Sequence, residues 1–190
     1  SLSVCYTTQN KKFFVYICYI NCLKMNRELL KEQLITDEGL RLRPYKCTAG
    51  KFTVGVGRNL EDKSLTKDEC FFLGIKQTTK EGIISFLLEH GITHDDAMYL
   101  LENDIDDVVR DLKRNFSWFD SSPEQVQRVL CNVVFNIGIS RFLGFKKTIA
   151  FLKAGKYYEA GVEILNSKWR NDVGDRAIRL SNLLKAQANA

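Results

Sequence analysis

The sequence predicts a mainly helical α+β fold, a small hairpin-bearing N-lobe followed by a larger helical C-lobe. Three observations carry this. Between Leu40 and Val56, apolar and polar residues alternate around a glycine-containing turn, which is the period of strands. From Asp104 onward, apolar residues instead recur at three- and four-residue intervals, the period of helices. Val126, Val129, Leu130, Val133, Val134 and Ile137 make one helix apolar nearly all round, so it belongs at the centre of the larger lobe. A 190-residue chain that is 45% apolar and 11% aromatic can bury a real core, as one domain or two small lobes, and is no disordered chain.

The elements follow in order. Residues 1–24 read as a non-catalytic extension. Lys11-Lys12 precedes an apolar run from Phe13 to Ile20, far short of the ~20 residues that span a bilayer. No small-residue cleavage site follows it. Residues 25–190 form the main domain: an N-lobe over 25–103, a connecting helix over 104–116, and a C-lobe over 117–190. Leu29, Leu30, Leu34 and Ile35 have helical spacing, and Gly39 is a stop signal. Leu40, Leu42 and Pro44 alternate with Arg41, Arg43 and Tyr45; the proline makes this an edge strand. Thr48-Ala49-Gly50 reads as a turn, with Phe52, Val54 and Val56 on the returning strand. Thr66 with Glu69, and Thr93 with Asp96, have the spacing of helix caps and predict two short helices. No element is assigned to 76–90. Ser122-Pro123-Glu124 predicts a serine-capped start for the central helix. Three more helices are expected over 144–152, 157–165 and 176–184.

Composition excludes several functions. A net charge of +5, without a dense basic block or aromatic–basic alternation, is no signature of nucleic-acid binding. It suits long-range attraction to an anionic polymer. Cysteines 5, 18, 22, 47, 70 and 131 form no Cys-x-x-Cys pair and no zinc framework. They read mostly as free thiols made in a reducing compartment. His90 and His94 are four apart, but Gly91 lies between them and no third ligand is evident, so no metal or cofactor is expected.

Chemistry concentrates between residues 37 and 57. Glu38 ends a helix beside a glycine, Cys47 sits at a tight turn, and Thr53 lies on the returning strand. An acid, a thiol and a hydroxyl on one helix-to-hairpin unit can protonate a leaving group and position a water.

The spacing Glu38, eight residues, Cys47, five residues, Thr53, then Val54-Gly55-Val56-Gly57, resembles the catalytic signature of phage-type lysozymes (endolysins, glycoside hydrolase family 24). That family carries Asp or Cys at the middle position. Asn103-Asp104-Ile105-Asp106 with Val108-Val109-Arg110 resembles its connecting helix. Asn132-Val133-Val134-Phe135-Asn136-Ile137-Gly138 resembles its buried helix beside the cleft, and Gly144-Phe145 keeps the spacing. Ser167-Lys168-Trp169 and Asp175-Arg176-Ala177 resemble the segment that supplies an arginine near the acid. The resemblance covers about 25–184.

It implies a lysozyme-like fold and a division of roles. Glu38 would be the general acid. Cys47, as thiolate, would activate water or attack the sugar, with Lys46 and Lys51 close in sequence to favour that form. Thr53 would hold the water. Arg176 would be the arginine near the acid, and Phe135, Asn136 and Thr148 would contact substrate. Arg58 stands where many relatives have histidine; an Arg58–Asp104 ion pair would contribute about 0–1 kcal/mol if exposed. The implied activity is hydrolysis of β-1,4 bonds between N-acetylmuramic acid and N-acetylglucosamine in peptidoglycan, causing lysis. The enzyme would be a monomer without cofactor, nucleic acid or stable membrane span, made in a bacterial cytoplasm and acting on the wall. The alternative is a relative that binds peptidoglycan without turnover, because Cys47 is not a carboxylate. A cysteine hydrolase pairing Cys47 with His90 or His94 lacks an orienting acid.

Overall fold

The computed structural model describes residues 25–47 and 50–188. The run 13–20, three of the cysteines, and Thr48-Ala49 of the expected turn lie outside them. Among the described residues there are nine helices and one three-stranded sheet, a mainly helical α+β fold as the sequence predicts. Of the described residues, 28–47 with 50–110 form one compact unit, and 25–27 with 111–188 form another.

In the first unit, α1 (Arg27–Glu38) buries Leu30 and Leu34, one turn apart. It stops where Gly39 takes a positive φ of 76° and donates its N–H to the Ile35 carbonyl at 2.9 Å. Glycine reaches that conformation without a Cβ penalty. The strands β1 (Arg41–Lys46), β2 (Phe52–Gly55) and β3 (Arg58–Asn59) pair antiparallel in that order. β1 is an edge, and the register slips between Arg41 and Tyr45, the stretch that holds Pro44. β3 is absent from the sequence reading, because two residues are too short to show alternation. Val54 on β2 is fully buried and packs with Leu60, Leu65, Ile83, Leu87 and Leu100.

Thr66 caps α2 (Lys67–Phe72) in a reciprocal capping box with Glu69. The 76–90 segment holds a helix, α3 (Lys80–His90), started by the Thr79 hydroxyl accepting from the Gly82 N–H. Gly91 ends it where a Cβ would stand 2.8 Å from the Leu42 carbonyl oxygen. Its missing side chain lets β1 approach closely enough for Ile92 N–H to reach that carbonyl at 2.8 Å.

The expected short helix after Thr93 and the expected connecting helix from Asp104 are one element. α4 runs from His94 to Asn115, 22 residues. Thr93 and Asp96 cap it reciprocally, and no Gly or Pro interrupts it afterwards.

In the second unit, α5 (Glu124–Phe142) buries Val126, Val129, Leu130, Val133 and Val134, as its all-round apolarity requires. It breaks at Gly138, where φ is 76° and ψ 155°. Ser122 does not cap it. Its hydroxyl donates instead to the Trp118 carbonyl at 3.0 Å, and Pro123 occupies the cap position with no side-chain bond. The Glu124 carboxylate accepts from the Asn26 N–H and from buried Arg128, both at 2.9 Å. Four helices follow: α6 (Lys146–Lys153), α7 (Tyr157–Ile164), α8 (Lys168–Val173) and α9 (Asp175–Gln187). Gly161 lets α7 meet α9 closely: a Cβ there would lie 2.7 Å from the Ser181 carbonyl oxygen. Among the described residues, no single helix is long and apolar enough to cross a membrane.

Candidate active site

The first unit positions Glu38, Cys47 and Thr53. Glu38 is the last residue of α1 and is half-buried. The backbone of Gly57 lies against its side chain: a Cβ on Gly57 would stand 3.4 Å from the Cβ, Cγ and Oε2 atoms of Glu38. Gly57 has φ +74°, which also selects for glycine. The hairpin thus returns onto the carboxylate.

Cys47 follows β1 directly and is half-buried. Its N–H donates to the Lys51 carbonyl at 2.9 Å and its carbonyl accepts from Gly50 N–H at 2.8 Å, so the backbone is pinned at both groups. Cys70 and Cys131 are buried, and burial pushes both thiols up, away from the reactive form. Of the two lysines expected near Cys47, Lys51 is raised first by its bond to Asp62, with Cys47 a smaller attraction. Lys46 lies over the Phe52 ring, 5.3 Å from its centroid.

Thr53 pairs with Tyr45 and Asn59 across the sheet, on the face opposite Val54, yet is only 4% exposed. Its hydroxyl makes one long bond, 3.4 Å, to the Lys51 carbonyl.

Arg58, next to Gly57, is not in an exposed pair. Its side chain is 2% exposed and grips Asp104 through Nε at 2.8 and 2.9 Å. Its Nη1 and Nη2 reach Glu69 at 3.2 and 2.8 Å, and Nη2 also reaches the Leu100 carbonyl. Lys63 adds bonds to Asp104 and Asp107. Burial works against the charge on Arg58, but the two carboxylates outweigh it and hold the guanidinium protonated. The expectation of about 0–1 kcal/mol, which belongs to exposed pairs, does not apply to this cluster.

Glu69 is the residue the sequence reading misses as an ionic partner. It serves as the capping acid of α2 and also takes Arg58 and Asn103. Burial alone would raise its carboxyl; Arg58, the Thr66 N–H and Asn103 outweigh this and hold it at about 2. An ordinary glutamate titrates near ~4.3. A lowered folded-state value stabilises the protein above the unfolded value, and that stability is lost as pH falls through the folded one. We expect stability to drop between about pH 4.5 and 2. Glu69→Gln should flatten that part of a denaturant-midpoint-versus-pH curve; an unchanged acid limb would remove Glu69 from the acid response.

The second unit holds Phe135, Asn136, Thr148 and Arg176. Phe135 is half-buried on α5. Asn136 accepts from the Trp169 indole N–H at 2.8 Å. One turn earlier, Asn132 takes Arg176: Nε donates to its side-chain oxygen at 2.9 Å and Nη2 to its carbonyl at 3.1 Å. Arg176 is buried, and these two bonds tie it to Asn132. Asn132 and Trp169 are unassigned from sequence, though two asparagines four apart on an apolar helix face are a readable signal. Thr148 is 2% exposed and lines a cavity of about 400 Å³ with Phe145 and Trp169. Arg141, Lys146, Lys147 and Lys168 also line it, against one acid, Glu163. Among the described residues, no three His, Cys, Asp or Glu side chains gather to hold a metal ion.

The helix-to-hairpin unit carrying the carboxylate, with a helical unit built on a central apolar helix, defines a lysozyme, a glycoside hydrolase. The family model for phage lysozyme matches residues 36–188, and the chain belongs to that family. It is 27% identical over 162 residues to "Probable T4-type lysozyme 2" of Dictyostelium discoideum, covering 82% of this chain and 93% of that protein. "Probable T4-type lysozyme 1" of the same organism is 25% identical, with the same coverage. The "Pre-baseplate central spike protein Gp5" of Enterobacteria phage T4 is 28% identical over 82% of this chain, but over only 27% of its own length.

Proposed function

We propose that this lysozyme is an endolysin-like muramidase that hydrolyses the β-1,4 bond between N-acetylmuramic acid and N-acetylglucosamine in peptidoglycan, lysing the cell. The observation that carries the reading is the placement of Glu38 at the helix end with the Gly57 turn against its carboxylate. Glu38 donates its proton to the glycosidic oxygen as the carbon–oxygen bond breaks. Water held by the Thr53 hydroxyl adds at the anomeric carbon, and the Cys47 thiolate takes its proton. The cycle closes when Glu38 regains a proton from solvent and Cys47 releases one. Phe135, Asn136, Thr148 and Arg176 serve substrate binding. The cationic lining around Thr148 suits a polymer that carries carboxylates. The enzyme is made in a bacterial cytoplasm and acts on the wall as a monomer.

The test is product analysis on purified peptidoglycan. New reducing ends on muramic acid are expected; new reducing ends on glucosamine only, or none, would overturn the reading. Cys47 has its own test. Cys47→Ser should lose most of the activity and Cys47→Asp should keep a substantial part, because a carboxylate can act as base there. Both are checked by initial rates of glycan hydrolysis. Variants as fast as the parent would remove the thiol from the chemistry. Equal inactivity of parent and variants would favour glycan binding without turnover.

A further inference from the structure

We propose that Arg58 is a positioning residue for Glu38, acting through the backbone of Gly57; the inference rests on the muramidase reading, in which Glu38 is the acid. The contact between turn and acid is close. A Cβ at Gly57 would meet three atoms of Glu38 at 3.4 Å, an ordinary van der Waals distance, so this backbone is the carboxylate's neighbour and a shift of the turn changes the space beside it. Little in the sheet fixes that backbone. β3 begins only at Arg58 and is two residues long, and Gly55 and Gly57 before it both have positive φ. A two-residue strand gives few ladder bonds, and glycines add freedom.

The fixing comes from the side chain of the next residue. The Arg58 guanidinium is tied at Nε, Nη1 and Nη2 to Asp104, Glu69 and the Leu100 carbonyl. These partners sit on α4 and α2, two elements with their own reciprocal caps. A planar fork with three occupied nitrogens fixes position and orientation together; a lysine ammonium at the same place supplies only a point charge. Arg58 thus sets where Gly57 lies, and Gly57 sets the space beside Glu38. Displacements of about 1 Å in a reacting group can cost about 10²-fold in rate.

The test is steady-state kinetics on soluble glycan strands, well below the melting temperature, with folded fraction checked by circular dichroism. Turnover by the parent is measured first; its absence sinks the muramidase reading itself, before any Arg58 variant is made. Arg58→Lys should lower kcat by about tenfold or more with KM changed less than about twofold, since the misplaced group acts on the chemical step. Leu87→Ala is the control. Leu87 is fully buried in the same unit on α3, a helix that carries none of the Arg58 partners, so its loss destabilises while leaving the guanidinium's bonds in place. It should melt lower but keep the parent's kcat. If Arg58→Lys is unfolded at the assay temperature, Glu69→Gln, which keeps the partner's shape, carries the same expectation. An unchanged kcat in the Arg58 or Glu69 variant overturns the proposal. So does an equal fall in kcat in Leu87→Ala, which would make the effect one of stability alone.

Discussion

Glu38→Gln should give a folded protein whose glycan hydrolysis is slower by about 10²–10⁴-fold, the usual worth of general acid–base catalysis. The amide has nearly the same shape as the acid but no proton to give. The helix end should tolerate the change. Glu38 closes α1, and the helix stop is supplied by Gly39, whose N–H already reaches Ile35. The buried positions of α1 are Leu30 and Leu34, which the change leaves alone. Melting curves and initial rates on the same preparation separate the two effects. A folded variant that works at the parent's rate would take Glu38 out of the mechanism.

Arg58→Met should be the most destabilising single change in the first unit. It fills a similar volume but leaves the Glu69 carboxylate, 2% exposed, and Asp104, 9% exposed, without their shared cation. Removing one partner of a buried pair typically costs about 3–5 kcal/mol, because the other charge stays buried and uncompensated. For a chain of this size that is a fall in Tm of roughly 6–20 °C. Lys63 still reaches Asp104, while Glu69 keeps the neutral donors Thr66 N–H and Asn103, so Glu69 bears most of the loss. Adding Glu69→Gln to Arg58→Met should recover part of the stability. A Tm within a degree or two of the parent would mean that the buried cluster contributes little.

How much of this is legible in the sequence depends on the range of the interaction. Glu38, Cys47 and Thr53 lie within sixteen residues, and their spacing shows directly. Thr66 with Glu69, and Thr93 with Asp96, are local caps and are read correctly. The second duty of Glu69 is hidden because its capping role already explains an acid at that position. The Arg58–Asp104 pair is anticipated from sequence but its burial is not, since only the packing of α2 and α4 over Arg58 buries it. α3 escapes because Gly82 lies in its first turn and only Ile83 and Leu87 are buried. The long α4 reads as two helices because Thr93 starts one and the apolar face from Ile105 looks like another. At Ser122 the cap reading fails because the carbonyl of Trp118, four residues back, captures the hydroxyl. Arg176 and Asn132 meet across 44 residues, a pairing no local pattern encodes.

The Arg58 cluster also has a consequence for how the chain assembles. Arg58 reaches Glu69 across 11 residues and Asp104 across 46. The longer loop is about two doublings of the shorter, so closing it costs roughly 1.2 kcal/mol more chain entropy. Loop entropy alone therefore favours contact with Glu69 before α4 arrives. Glu69→Gln should slow refolding more than Asp104→Asn does at equal loss of stability, with Asp104→Asn showing mainly as faster unfolding. Stopped-flow rates for the two variants read this directly; the reverse order would place the α4 contact in the nucleus. The expected result separates in time the two acids that share one arginine: the near one helps the strand find its helix, and the far one closes over a contact already made.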